Sequence, residues 1–203
     1  MEECCVICAE PLQYVAYGPC GHRDACVECV ARLRFVMADQ RCVICQQTCP
    51  LVFCTRAMGD YTASLSEAGF GELHERARSR ELVHDKPLDM FFDDPAAANK
   101  VKELRGLQCG ACVEEVAGGA TIPQHGHVTG GGRGGCEQHG SLKHLKAHLR
   151  DVHALSFCEV CLEGRKVFVS QQLLYSKQQL DKHKFGGTAD KDNEFGQVCE
   201  SRL

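Results

Sequence analysis

Four closely spaced pairs of zinc-ligand residues constrain the N-terminal part of the chain more than any other feature. They are Cys5 and Cys8, Cys20 and His22, Cys26 and Cys29, and Cys42 and Cys45. A two-residue gap lets a tight turn put both sulfurs on one ion, with backbone N–H groups free to bond the thiolates. The pairs can be joined in sequence, as two separate knuckles, or in alternation, which ties the whole segment into one unit.

Cysteine usage along the chain favours metal sites over disulfides. The 203 residues include 16 Cys and 10 His, and the Cys fall in two blocks, 4–54 and 109–199. Small units that bury little apolar surface need disulfides or metals. The N-terminus lacks the basic start and apolar run of a secretory signal, and no apolar stretch approaches the ~18 residues of a membrane span. We therefore expect a reducing cytoplasmic location, no membrane partner, and Zn²⁺ as the cofactor.

The order and spacing of the eight N-terminal ligands resemble those of the RING finger. The gaps between successive ligands are 2, 11, 1, 3, 2, 12 and 2 residues. RING fingers use the alternating scheme, which implies one site from Cys5, Cys8, Cys26 and Cys29 and another from Cys20, His22, Cys42 and Cys45. Cys4 could replace Cys5, but a three-residue gap suits the turn less well. Cys49 and Cys54 are interpreted as spare thiols near the end of the unit.

The RING resemblance implies a role in positioning. Such domains bind an E2 loaded with ubiquitin and hold its thioester in a reactive pose. Nothing in residues 1–56 places a nucleophile beside a base, and zinc-bound thiolates cannot attack, so we expect no catalytic residue. The resemblance implies E2 contacts at Ile7, between the first two ligands, and at Leu33. Gln46 stands where many active RINGs have an arginine that bridges E2 and ubiquitin, so we expect weaker activity or other contacts.

The second cysteine block predicts a Cys2His2 finger with a long insertion. Its ligands are Cys109, Cys112, His148 and His153. Leu145 lies three residues before His148, the usual core position of a finger helix, whereas the competing pair His144 and His148 has Ser141 there. The gap between Cys112 and His148 is 35 residues, and the stretch 117–140, which contains nine Gly, accounts for the excess as a flexible loop. Within that loop, Cys136 and His139 could supply a stray ligand.

A further finger begins at Cys158 and Cys161 and continues to His183. Leu180 again lies three residues before the histidine. No histidine follows His183, and Cys199 is the sole later residue of a ligand type. We predict that this fourth zinc site is incomplete or is closed by Cys199.

The order of these parts resembles one family specifically: the RING and zinc-finger E3 ubiquitin ligases that mark collided ribosomes, relatives of human zinc finger protein 598. Three stretches carry the resemblance, 42–56, 83–92 and 145–183. The family ubiquitylates small-subunit ribosomal proteins, which implies E2, ubiquitin and the ribosome (40S proteins and rRNA) as partners. The segment 141–184 has eight basic and four acidic residues, so we place the possible ribosome contact on Lys143, Lys146 and Arg150.

These observations predict small zinc-stabilised α+β modules, a cross-brace RING followed by irregular ββα fingers. The expected divisions are a RING over 1–56, an acidic spacer with short helices over 57–106, a finger over 107–155 with the insertion 117–140, and a second finger over 156–203. Two other function classes stay open. The first is a nucleic-acid-binding finger protein, although this class needs regular tandem fingers and the fingers here are irregular. The second is a zinc-stabilised scaffold without ligase activity, which the presence of Gln46 allows.

Overall fold

The computed structural model describes residues 3–112 and 138–185. The chain divides into two compact units, Met1–Glu103 and Leu104–Leu203. Most of the predicted Gly-rich insertion, including Cys136, lies outside the described residues, and so does Cys199. Among the described helices, none is both long enough and apolar enough to cross a bilayer.

The first unit is built on a four-stranded sheet in the order β1-β2-β4-β3. The strands are β1 (Tyr14–Tyr17), β2 (Val52–Arg56), β3 (Val83–Asp85) and β4 (Met90–Phe92). Strands β1 and β2 pair antiparallel, β2 and β4 parallel, and β3 and β4 antiparallel. Two strands from the stretch between the cysteine blocks thus extend a sheet that the N-terminal cysteine-rich segment begins.

Four helices accompany this sheet. They are α1 (Val27–Val36), α2 (Glu67–Gly71), α3 (Leu73–Arg78) and α4 (Pro95–Arg105). Helices α2 and α3 are short and have Glu72 between them, consistent with the low helix propensity of Gly69 and Gly71. Helix α4 begins at a proline, which suits the first helical position because its missing N–H has no partner there.

The apolar core of the first unit lies between the sheet and the short helices. Its buried members are Val15, Tyr17, Phe53, Phe70, Leu73, Leu82 and Phe91. Phe91 is fully buried, and it pairs in register with Phe53 of the neighbouring strand. The apolar run Met90-Phe-Phe92, which the sequence alone leaves without a partner, therefore packs inside this unit.

The described part of the second unit has fewer helices and strands than the first. It contains α5 (Leu142–His153), β5 (Ser156–Phe157), α6 (Glu159–Gly164), β6 (Leu174–Tyr175) and α7 (Lys177–Phe185). The Ser141 side chain caps α5 by accepting from the N–H of His144. Strands β5 and β6 pair antiparallel. Both units are α+β modules that contain Cys/His clusters, which confirms the predicted fold class.

Candidate zinc centres

The first cluster joins Cys5, Cys8, Cys26 and Cys29, whose sulfurs all lie within 4.8 Å of one another. The sulfurs of Cys8 and Cys26 are 3.9 Å apart. A tetrahedral zinc ion with bonds of about 2.3 Å to sulfur requires sulfur–sulfur edges of about 3.8 Å. The spacing of this cluster therefore fits zinc without rearrangement.

Backbone N–H groups surround the sulfurs of the first cluster. The Cys5 sulfur accepts from the N–H of Ile7 at 3.4 Å and from that of Cys26 at 3.3 Å. Cys26 is the residue that caps α1, and its sulfur accepts from the N–H of Cys29 at 3.4 Å. A thiolate in this position satisfies an orphan donor of the helix and interacts favourably with its positive end. The start of α1 is thus tied to the metal cluster.

The pKa values of the thiols in the first cluster also favour a bound cation. The hydrogen bond with Cys29 lowers the pKa of Cys26 to about 5. The same hydrogen bond raises the pKa of Cys29. Neighbouring thiols oppose one another's ionisation because like charges this close repel. A zinc ion removes the conflict, since coordination deprotonates each thiol.

The second cluster joins Cys20, His22, Cys42 and Cys45 and is more exposed than the first. The Cys42 sulfur lies 3.7 Å from Nδ1 of His22, a separation that suits two ligands of one tetrahedral ion. None of its four members is buried, and Cys45 is exposed, whereas Cys5 of the first cluster is buried. The two clusters take alternate pairs along the sequence, as the RING resemblance implied.

A buried arginine, which the sequence analysis did not single out, holds the segment after the second cluster in place. Arg34 of α1 donates to the carbonyl oxygens of Leu88 at 2.6 Å and Cys49 at 2.8 Å, and to that of Pro50. Burial lowers the pKa of this guanidinium. The Arg34 guanidinium stays charged because its five donors, held in a fixed fork, can satisfy several carbonyl oxygens at once. No sequence signal separates Arg34 from Arg32, the other arginine of α1.

The third cluster belongs to the second unit and joins Cys109, Cys112, His148 and His153. The Cys112 sulfur lies 3.4 Å from Nε2 of His148 and 3.1 Å from Nε2 of His153. Leu145 and Leu149 of α5 are buried beside Cys109, so the helix face that presents the histidines also builds the core. The ring of His139 lies 4.7 Å from that of His148, centre to centre, but His139 is not in the group.

The fourth cluster contains Cys158, Cys161 and His183 among the described residues. The Cys161 sulfur lies 3.1 Å from Nε2 of His183. The ring of Tyr175 stacks on the His183 ring at 4.6 Å, with 19° between the planes, which fixes the orientation of the imidazole. The predicted fourth ligand, Cys199, lies outside the described residues. All four clusters have the ligand types and spacing that zinc prefers.

The residues predicted to contact an E2 lie around the two N-terminal clusters. Ile7 is 37% exposed. Leu33 lines a small cavity of about 30 Å³ together with Val43 and Ile44, and Ile44 is also exposed. Gln46 is exposed and has a left-handed backbone with φ of 61°.

The predicted ribosome contacts lie on α5. Lys143 and Arg150 are exposed. Lys146 pairs with Glu159 at 2.7 Å, and Arg150 pairs with Asp151 at 2.8 Å. Two of the three predicted contacts therefore form ion pairs with acidic residues of the same unit.

Comparisons with known proteins identify the N-terminal segment. The family model of the C3HC4-type zinc finger, the RING finger, matches residues 1–52. The segment over residues 1–52 is a RING-type zinc finger. This match covers the segment that holds the first two clusters, and it agrees with their interleaved arrangement.

Relatives match almost the whole chain at low identity. The E3 ubiquitin-protein ligase hel2 of Schizosaccharomyces pombe is 26% identical over 194 residues, which are 96% of this chain and 22% of the relative. The E3 ubiquitin-protein ligase ZNF598 of Homo sapiens is 23% identical over 202 residues, 98% of this chain and 18% of the relative. The chain spans about a fifth of the length of these curated relatives. No solved structure is significantly similar to it.

Proposed function

We propose that this chain is the RING and zinc-finger part of a cytoplasmic E3 ubiquitin ligase. In this proposal it recruits a ubiquitin-loaded E2 and directs ubiquitin to small-subunit proteins of stalled or collided ribosomes. The similarity to proteins named E3 ubiquitin-protein ligase, over more than nine tenths of the chain, supports this proposal. We further propose that the members of the four clusters are zinc ligands.

The single observation that carries the E2 proposal is the exposure of Ile7 on the turn between two ligands. The N–H of Ile7 donates to the Cys5 sulfur, so the backbone of this turn is fixed while its side chain faces solvent. An apolar side chain held rigidly at a surface loses little conformational entropy when a partner covers it. Residues of the RING thus bind and orient the E2, and zinc supplies the cross-links that keep the turn rigid.

A ubiquitin-discharge assay tests the E2 proposal. With a productive E2, Ile7→Ala should abolish most of the acceleration of discharge while zinc content and fold stay unchanged. The matched control is Val83→Ala in the same unit, because Val83 is 39% exposed and lies on β3, away from the clusters. Equal discharge by Ile7→Ala and the unmodified chain would remove Ile7 from the E2 surface.

Gln46 determines how active the ligase can be. Its amide lacks the charge and the forked donors of an arginine, so contacts to E2 and ubiquitin together are weaker. Gln46→Arg should therefore raise the discharge rate. A chain that fails to accelerate discharge with any E2, before and after this substitution, would instead act as a scaffold.

Ribosome engagement is proposed to depend partly on charge. Replacing Lys143, Lys146 and Arg150 by glutamine should weaken co-sedimentation with ribosomes and flatten its salt dependence, because fewer counterions are released. A control triple substitution at the exposed residues Arg78, Lys86 and Lys102 removes the same charge from the first unit. If both triple variants weaken co-sedimentation equally, binding follows net charge and not a surface on α5.

A further inference from the structure

Cys49 is a buried thiol beside a zinc cluster to which it does not belong. Its sulfur lies 3.8 Å from the sulfur of Cys20, which is a member of the second cluster. Cys49 is 3% exposed, and it is in none of the four groups formed by the described residues. The sequence analysis left this residue as a spare thiol, and the geometry gives it a specific neighbour.

The position of the Cys49 side chain is fixed from three sides. Its backbone N–H donates to the carbonyl of Gln40 at 2.9 Å, and its carbonyl accepts from the Arg34 guanidinium at 2.8 Å. A Cβ added to Gly18 would lie 2.4 Å from both Cβ and Sγ of Cys49, so the thiol rests directly on the glycine backbone. The sulfur therefore has little room to turn away from Cys20.

We propose that Cys20 and Cys49 form a peroxide-sensitive disulfide that releases the second zinc ion. Closing the bond requires the sulfurs to approach from 3.8 Å to about 2.05 Å. Cys20 is partly exposed and sits after the exposed Pro19, so its side chain can move toward the fixed thiol of Cys49. This site goes beyond the ligase function and does not depend on it.

The chemistry balances with hydrogen peroxide as the oxidant. When Cys20 is detached from the zinc ion, its thiolate attacks one peroxide oxygen, the O–O bond breaks, and a sulfenic acid and hydroxide form. The Cys49 thiol then attacks the sulfenic sulfur, and the S–S bond forms as water leaves. The proton that Cys20 lost on ionisation neutralises the hydroxide, and the Cys49 proton leaves in the second water. Two thiols and one peroxide thus give one disulfide and two waters.

The second cluster is the one that such a reaction would open. Loss of Cys20 leaves His22, Cys42 and Cys45, none of which is buried. In the first cluster, the sulfurs of Cys8 and Cys26 lie 3.9 Å apart, and both residues are members of the same group. Cys49 belongs to no group, and its bond to Cys20 removes a single ligand from the ion. Thiol reduction with zinc present should restore the site.

The test treats the zinc-loaded full chain with graded hydrogen peroxide, stops the reaction with catalase, and alkylates the remaining thiols. Disulfides are mapped by peptide fragmentation under non-reducing conditions, and released zinc is measured with a chromogenic chelator. We expect a Cys20–Cys49 cross-link that appears together with one released zinc per chain, and both should reverse with dithiothreitol and zinc. A cross-link between other cysteines, or zinc release with no disulfide, overturns the proposal.

Two variants sharpen this test. Cys49→Ser should slow zinc release several-fold and leave Cys20 to oxidise irreversibly, while Cys4→Ser, which removes a thiol outside the groups, should behave as the unmodified chain. Cys49→Ala provides a second check if the serine variant does not load zinc. Equal zinc release by the Cys49 variants and the unmodified chain would refute the proposal, whatever the ligase activity of either.

Discussion

The two units of this chain rely on different sources of stability. In the first unit, the core cluster that includes Tyr17, Phe53 and Phe91 contains no metal-ligand residue, and a smaller cluster joins Ala25 to the ligands Cys5 and Cys29. Among the described residues of the second unit, the buried cluster joins Cys109 to Leu145, Leu149 and Phe157, so there a metal ligand lies within the main apolar cluster. Zinc adds to an apolar core in one unit and replaces much of it in the other.

This difference follows from how much apolar surface each segment can bury. The first unit brings strands from distant parts of the chain together, and aromatic side chains fill the space between them, with Tyr17 edge-on to Phe53 at 5.9 Å. The second unit has a sheet of two short strands. A core that small cannot offset the entropy of ordering the chain, so metal binding becomes folding energy.

The largest expected effect comes from breaking the third cluster. His148→Ala should remove one zinc and unfold α5, because the ligand that ties the helix to Cys109 and Cys112 is lost. Hydrogen exchange should then show loss of protection over 138–185 while residues 3–103 keep theirs. His144→Ala is the matched control, since His144 is an exposed histidine of the same helix and belongs to no cluster. Protection of α5 in the His148 variant would show that its apolar core suffices.

The first unit should instead be most sensitive to loss of its apolar core. Phe91→Ala leaves a cavity at a fully buried position and should lower the free energy of unfolding by about 3–5 kcal/mol. Thermal unfolding should show the lower stability, and hydrogen exchange should show the loss of protection in residues 3–103. Val83→Ala on the paired strand is exposed and should cost far less. A destabilisation by Phe91→Ala no greater than that by Val83→Ala would contradict the view that this core stabilises the unit.

An intermediate effect is expected at the buried arginine of α1. Arg34→Leu removes the donor to three carbonyl oxygens, and the unsatisfied acceptors should cost about 2–3 kcal/mol in total. Because Cys49 and Pro50 follow the second cluster, zinc there should also become easier to extract with a chelator. Arg34→Lys keeps the charge and should rescue part of the loss. If zinc retention is unchanged in Arg34→Leu, the hydrogen bonds of Arg34 do not stabilise zinc binding by the second cluster.

The smallest effect should come from the hydrogen bond between the Tyr14 hydroxyl and the Asp94 carboxylate, 2.6 Å long. This hydrogen bond holds the pKa of Asp94 below its usual range. A depressed carboxyl pKa stabilises the fold at neutral pH, and that contribution is lost as the pH falls through the pKa in the folded state. Tyr14→Phe should therefore lower stability slightly at pH 7, and denaturant titrations should show the difference shrinking in acid. A difference that grows in acid would assign the effect to something else.

Much of this arrangement was predictable because ligand spacing is a local signal. Pairs two residues apart must turn tightly, and the structure groups the predicted ligands into the sets that the spacing and the RING resemblance implied. The short helices that form within 57–106 were also expected from the sequence. In each case the residues that decide the outcome lie within a few positions of one another.

What the sequence did not predict depends on contacts between distant residues. The parallel pairing of β2 with β4 joins Phe53 to Phe91, and no pattern in either strand specifies that partner. The burial of Arg34 requires three carbonyls from two separate segments to converge. Cys49 likewise becomes informative through Gly18 and Cys20, which precede it by about thirty residues. Tertiary packing, which local propensity does not encode, determines these positions.

The order of the sheet has a practical consequence for handling the RING in isolation. A fragment that stops at residue 56 would retain β1 and β2 but lose β4, whose backbone groups pair with Val52 and Cys54. That fragment would present an unprotected edge rich in apolar side chains, which is the geometry that leads to intermolecular strand addition and precipitation. Extending the fragment to residue 103 would cover this edge and keep the sheet complete.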